Sequence, residues 1–179
     1  VNKFAFSDDS RTTLGTGLSA ASQALAGAAN SGTAAYFAGG YAGSKVTTVD
    51  KFAFSDDSRT TLGTGLSAAR SDLAGAANSG TAAYFAGGEE ASAKTATVDK
   101  FAFSDDGRTT LGTGLSAVRD GLAGAANSGT AAYFAGGTEV SIVATVNKFA
   151  FSDDGRTTLG TGLSAARRYL AGAANSGTL

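Results

Sequence analysis

Short apolar stretches alternate with clusters of Gly, Ser, Asn and Asp along the chain, and the first forty residues show the pattern. Residues 1–6 end at Ser7-Asp8-Asp9-Ser10, residues 12–19 alternate Thr, Leu and Gly, residues 25–29 end at Asn30, Ser31 and Gly32, and residues 34–38 end at Gly39 and Gly40. A helix would need about ten or more residues without such frequent glycine, whereas each stretch has the length of a strand. Phe4 and Phe6 stand two residues apart, which on a strand puts both on one face. Ala and Leu favour helices intrinsically, but the turn residues and the two-residue spacing outweigh that preference. The pattern predicts an all-β chain of antiparallel strands.

The pattern then repeats. Val-Asx-Lys-Phe-Ala-Phe begins at Val1, Val49, Val98 and Val146, which divides one domain, residues 1–179, into units 1–48, 49–97, 98–145 and a shorter 146–179. Each unit reads through Ser-Asp-Asp-Ser/Gly-Arg-Thr-Thr-Leu-Gly-Thr-Gly-Leu-Ser-Ala to Leu-Ala-Gly-Ala-Ala-Asn-Ser-Gly-Thr. A period this long means one supersecondary unit per repeat, stacked on its neighbours to bury its apolar faces.

The run at residues 70–88, Arg-Ser-Asp-Leu-Ala-Gly-Ala-Ala-Asn-Ser-Gly-Thr-Ala-Ala-Tyr-Phe-Ala-Gly-Gly, resembles the kelch repeat. Its most specific element is Tyr-Phe-Ala-Gly-Gly at Tyr36, Tyr84 and Tyr133, separated by eight or nine residues from the next Val-Asx-Lys-Phe. Where the kelch pattern carries a Trp after the third-strand turn, this chain has Thr-Thr-Leu, which leaves packing to Phe and Leu. The resemblance implies a β-propeller of four-stranded antiparallel blades, with residues 25–29 as an inner strand, 34–38 second, 49–54 third and 60–67 outer. On that frame the chain holds three whole blades and a split fourth lacking its second strand. Additional blades or another chain are expected to complete the ring, and the chain, which starts at Val1, reads as trimmed or partial.

Differences among the units concentrate in two connections. One leads from outer to inner strand, at residues 21–24, 69–72, 118–121 and 166–169; the other leads from second to third strand, at 41–48, 89–97 and 138–145. In a meander both emerge on one side, while the nearly unchanging Asn-Ser-Gly-Thr and Ser-Asp-Asp turns emerge on the other. The variable side is therefore the candidate binding face, with Tyr41, Lys45, Arg70, Asp72, Glu89, Glu90, Arg119, Asp120, Glu139, Arg167, Arg168 and Tyr169 as candidate contacts. Tyr and Arg offer large contact area and directional hydrogen bonds, and they are expected to project from that side.

Composition narrows the chemistry. There is no Cys or His, so no thiolate or imidazole metal site, Cys nucleophile or Ser-His-Asp triad can form. A formal charge of -1 offers no basic face for nucleic acid, and no apolar run approaches the roughly 18 residues of a membrane-spanning helix. No catalytic residue, metal or cofactor is assigned. Ser104-Asp105-Asp106-Gly107 and its counterparts have the composition of a hairpin turn, with the following Arg expected to neutralise the Asp pair, and Gly15-Thr16-Gly17 reads as a strand glycine pattern. The expected function is a non-enzymatic recognition or adhesion module for a protein or glycan target. Similarity to near-identical blades of phage appendages and bacterial surface proteins implies an extracellular, cell-surface or virion setting. The alternative is a structural decoration or spacer protein of a virion, filament or matrix.

Overall fold

The computed structural model describes residues 1–5 and 7–173, so Phe6 and the last Asn-Ser-Gly-Thr, at 175–178, lie outside it. Among the described residues every regular element is a β-strand, and all pairings are antiparallel. A two-stranded hairpin of β1 (Asn2–Phe4) and β2 (Arg11–Thr13) precedes three four-stranded sheets. The first sheet is β3 (Ala26–Asn30), β4 (Ala34–Ala38), β5 (Val49–Ala53) and β6 (Arg59–Thr61). The second is β7 (Ala74–Asn78), β8 (Ala82–Ala86), β9 (Val98–Ala102) and β10 (Arg108–Thr110). The third is β11 (Ala123–Asn127), β12 (Ala131–Ala135), β13 (Val146–Ala150) and β14 (Arg156–Thr158). Each sheet is a simple meander in chain order. Among the described residues no strand pairing joins the hairpin to the third sheet, and no closed ring is seen.

The sheets stack face to face, and the alternation of side chains decides what fills each gap. On β4, Ala34, Tyr36 and Ala38 face the second sheet and are buried, as Ala82, Tyr84 and Ala86 on β8 face the third. The opposite faces supply Ala83, Phe85 and Phe101 to the first gap and Ala132, Phe134 and Phe149 to the second. In consequence β8, covered on both sides, is buried at every position. Tyr36 lies 5.1 Å from Phe103 across the first gap and Tyr84 lies 5.3 Å from Phe151 across the second, separations favourable for aromatic pairs.

The innermost strands approach more closely than side chains allow. A methyl group built on Gly75 would overlap the Gly27 carbonyl, one on Gly124 the Gly75 carbonyl, and one on Gly172 the Gly124 carbonyl. This column explains the glycine inside the second, third and fourth Leu-Ala-Gly-Ala-Ala-Asn segments, where the backbones touch at the position a Cβ would take; Gly27, at the end of the column, meets only the Phe37 ring.

The expected outer strand, residues 60–67, is corrected to Arg59–Thr61 with counterparts of the same length. Leu62 still donates its N–H to Val49, but the Gly-Thr-Gly segment then leaves the sheet and crosses to the next. Gly65 passes against the Thr47 carbonyl, Leu66 turns into the first gap, and Ser67 donates both N–H and Oγ to Asp99 Oδ2 at 2.9 Å. Gly65, Gly114 and Gly162 pass against carbonyls where a Cβ would clash, whereas Gly63, Gly112 and Gly160 have open space around them; all lie outside the strands, so they are not strand glycines. The inner strands begin one residue later than expected and the third strands end one earlier.

Candidate functional site

Antiparallel pairing sends successive connections to opposite ends of each sheet, and the two variable connections meet at one end. Gln23 and Tyr41 exchange backbone hydrogen bonds, as do Ser71 with Glu89 and Asp120 with Thr138. The common side expected for both connections is therefore present.

The opposite end holds the sheets together. Asn30 Oδ1 accepts from the Gly80 N–H of the next sheet and Asn78 Oδ1 from Gly129, each at 2.8 Å. In the Asp pair the two carboxylates divide their work. Asp56, Asp105 and Asp153 accept from the N–H two residues on within their own turn. Asp57, Asp106 and Asp154 take the left-handed turn position and face the preceding sheet. Asp106 receives Tyr36 Oη at 2.7 Å and Lys51 Nζ at 2.8 Å; Asp154 receives Tyr84 at 2.7 Å and Lys100 at 2.8 Å; Asp57 receives Lys3 at 3.0 Å. Burial, with the Asp106 carboxylate as acceptor, pushes the Tyr36 hydroxyl up to about 12, and the same causes raise Tyr84. The invariance of these turns thus has a packing cause.

The arginines after the Asp pair do not neutralise it. Arg108 reaches Asp99 on the third strand at 3.5 Å, and Arg59 reaches Asp50 at 3.9 Å. Asp99 also meets Arg70 Nη2 at 3.0 Å, with both side chains at 0% exposure. Arg70 further donates to the Phe85 carbonyl at 3.2 Å and to Ser67 Oγ at 3.4 Å. In the third sheet Arg119 donates to Asn147 Oδ1 at 2.6 Å, again fully buried. Arg70 and Arg119 therefore do not project for recognition as expected; the buried acceptor on the following third strand draws them inward. Burial lowers the Arg70 guanidinium from its ordinary value while Asp99 counters it, and for Asp99 the opposing burial is outweighed by Thr110, Ser67 and Arg70, which hold the carboxyl below its usual range.

The remaining candidates form two tiers on the variable side. In the outer tier Lys45 meets Glu89 at 3.1 Å and donates to the Glu90 carbonyl, while Lys94 donates to the Glu139 carbonyl at 2.7 Å and lies 3.4 Å from Asp120. These contacts link adjacent sheets. Tyr41 stands 43% exposed beside them, and Arg119 Nη1 approaches Glu139 at 3.8 Å from below.

The inner tier caps the glycine column. Asp72 N–H donates to the Ala24 carbonyl, Gly121 to Asp72 and Tyr169 to Gly121, at 2.7–2.8 Å. All four residues have positive φ, an uncommon conformation for Ala24 and Tyr169. With Leu25, Leu73, Leu122 and Leu170 they line a groove of about 200 Å³. Tyr169 is 67% exposed, stacked under the Arg168 guanidinium at 5.1 Å; Arg167 and Arg168 are exposed.

Reading by residue type missed the sheet-to-sheet partners. The signal was positional: Tyr and its acceptor Asp are 70 residues apart in both pairs. No protein-family model and no curated protein matches this chain, so the reading of the face rests on its geometry.

Proposed function

We propose that this chain is a non-enzymatic recognition module, part of a kelch-like β-propeller that offers its variable face to a protein or glycan target. The observation that carries the reading is the segregation of differences: they gather on the end holding the groove and the exposed Tyr41, Arg168 and Tyr169, while the other end keeps the Asn and Asp residues that bind neighbouring sheets. Exposed aromatic and Arg side chains on a rigid β scaffold suit directional recognition with little ordering cost. The setting proposed is extracellular, on a cell surface or virion.

A structural reading has its own support, because Lys45, Lys94, Arg70 and Arg119 differ among units yet tie sheet to sheet. Glycan-array and cell-binding assays separate the two. Transplanting residues 138–145 over 41–48, with Arg168 and Tyr169 replaced by Ala, should abolish target binding if the face is used. Retained binding, or assembly unaffected by loss of any target, would favour the decoration or spacer role.

A further inference from the structure

The first sheet lacks a side chain that the other two possess. Ser22 stands where Arg70 and Arg119 stand, but the groups that receive the guanidinium in the second sheet have counterparts in the first: Asp50 for Asp99, Ser19 for Ser67 and Phe37 for Phe85. Asp50 is 3% exposed, accepts from Thr61 Oγ1 at 2.6 Å and from Ser19 N–H at 2.7 Å, and has only Arg59, 3.9 Å away, as an ionic neighbour among the described residues. Asp99, by contrast, has two guanidinium groups within 3.5 Å. The space remains. A cavity of about 30 Å³ is lined by Ser19, Ser22, Phe37, Gly39 and Asp50, larger than one water requires. Ser22 Oγ is buried there and has no hydrogen-bond partner among the described residues.

The chemistry of the lining selects the occupant. A buried carboxylate, two hydroxyls and the Phe37 backbone make a site rich in acceptors, and its shape is one that a guanidinium occupies elsewhere in the same chain. Alkylammonium carries the same charge without the planar fork. Ala20, which is exposed, and the half-buried Ala42 line the cavity, and an alkyl stem would pass on their side. We infer that the cavity at Ser22 and Asp50 is a binding site for a monoalkyl guanidinium group, supplied by a small guanidinium compound or by an arginine of a partner protein. This inference is independent of the recognition reading, and its test needs no natural target.

The experiment is a titration of the full chain with methylguanidinium chloride at constant ionic strength, followed by amide chemical shifts. Saturable shifts at Ala20, Ser22 and Gly39 in the millimolar range are expected, with methylammonium at least tenfold weaker. Ser22→Arg, which fills the space as Arg70 does, should abolish them. Asp50→Asn keeps the shape and should weaken binding at least tenfold, and it serves if Ser22→Arg does not fold. Arg70→Ser should open a second site at Ser67 and Asp99. Acetyl-Gly-Arg-Gly-amide binding more tightly than methylguanidinium would place the source on a partner protein, and the reverse order would place it on a free compound. Shifts that grow linearly over the whole surface, equal response to methylammonium, or unchanged binding in both Ser22→Arg and Asp50→Asn would overturn the inference.

Discussion

Replacing Arg70 by Ser imposes on the second sheet the arrangement native to the first. Removing one partner of a buried ion pair costs about 3–5 kcal/mol, because the other charge stays behind without compensation. Here Asp99 keeps Arg108 at 3.5 Å, Thr110 Oγ1 at 2.6 Å and two donors from Ser67 at 2.9 Å, so the loss falls at the low end, about 3 kcal/mol. The complementary change, Asp99→Asn, reproduces the third sheet, where Arg119 donates to a neutral amide oxygen at 2.6 Å. It removes charge assistance and the Arg108 bond to Oδ1 at 3.5 Å, keeps the acceptor for Ser67 and Arg70, and reverses the Thr110 bond as Asn147 Nδ2 does with Thr158, and should cost about 1–2 kcal/mol. Urea unfolding followed by far-ultraviolet circular dichroism reads both. With a slope of about 2 kcal/mol/M, the midpoint should drop by about 1.5 M for Arg70→Ser and about half that for Asp99→Asn. The acid limb supplies a second check. The Asp99 carboxyl is held below its ordinary value in the folded chain, so its stabilisation is present above pH about 4 and fades as pH falls through the folded-state value. The wild-type advantage over Arg70→Ser should therefore be full at neutral pH and shrink below pH about 4. An Arg70→Ser midpoint within error of wild type, or an Asp99→Asn loss exceeding it, would refute this account of the buried pair.

Gly75→Ala should destabilise by about 1–3 kcal/mol through overlap with the Gly27 carbonyl, whereas Gly27→Ala, whose methyl would meet only the Phe37 ring at 3.6 Å, should change the urea midpoint little. Tyr84→Phe removes the donor to Asp154 at 2.7 Å and should cost about 1–2 kcal/mol in the same assay, with Lys100 still holding the carboxylate at 2.8 Å. Since the Tyr36 hydroxyl is raised to about 12, its contribution is present below pH about 10 and lost as pH rises through the folded value; phenolate absorbance in the wild type should show a late component that Tyr36→Phe lacks. Arg168→Ala with Tyr169→Ala, both exposed, should shift stability by less than about 0.5 kcal/mol per residue while costing about 1–2 kcal/mol or more of target binding, measured by calorimetry against a target found on the array.

Strand number, order and direction were legible in the sequence, because each strand is local and is bounded by turn residues whose backbone preferences act without help from distant groups. The same locality put both variable connections on one end: an antiparallel meander leaves no other choice once four strands are recognised. The unit-to-unit comparison likewise identified Tyr41, Arg168 and Tyr169, which are exposed as expected. What could not be read was the fate of any group whose partner lies one unit away. Arg70 and Arg119 carry the composition of a recognition surface, yet a buried acceptor on the following third strand turns them inward. The outer strand ended after three residues because the Gly-Thr-Gly segment must cross between sheets to deliver Ser67 to Asp99, a demand invisible to local alternation. The glycine of the inner strand has no local reason at all; stacking brings its backbone against the Gly27, Gly75 and Gly124 carbonyls, and that contact exists only when the sheets are assembled. Local backbone preference is a property of a few consecutive residues, whereas burial and ion pairing are set by which sheet lies next to which.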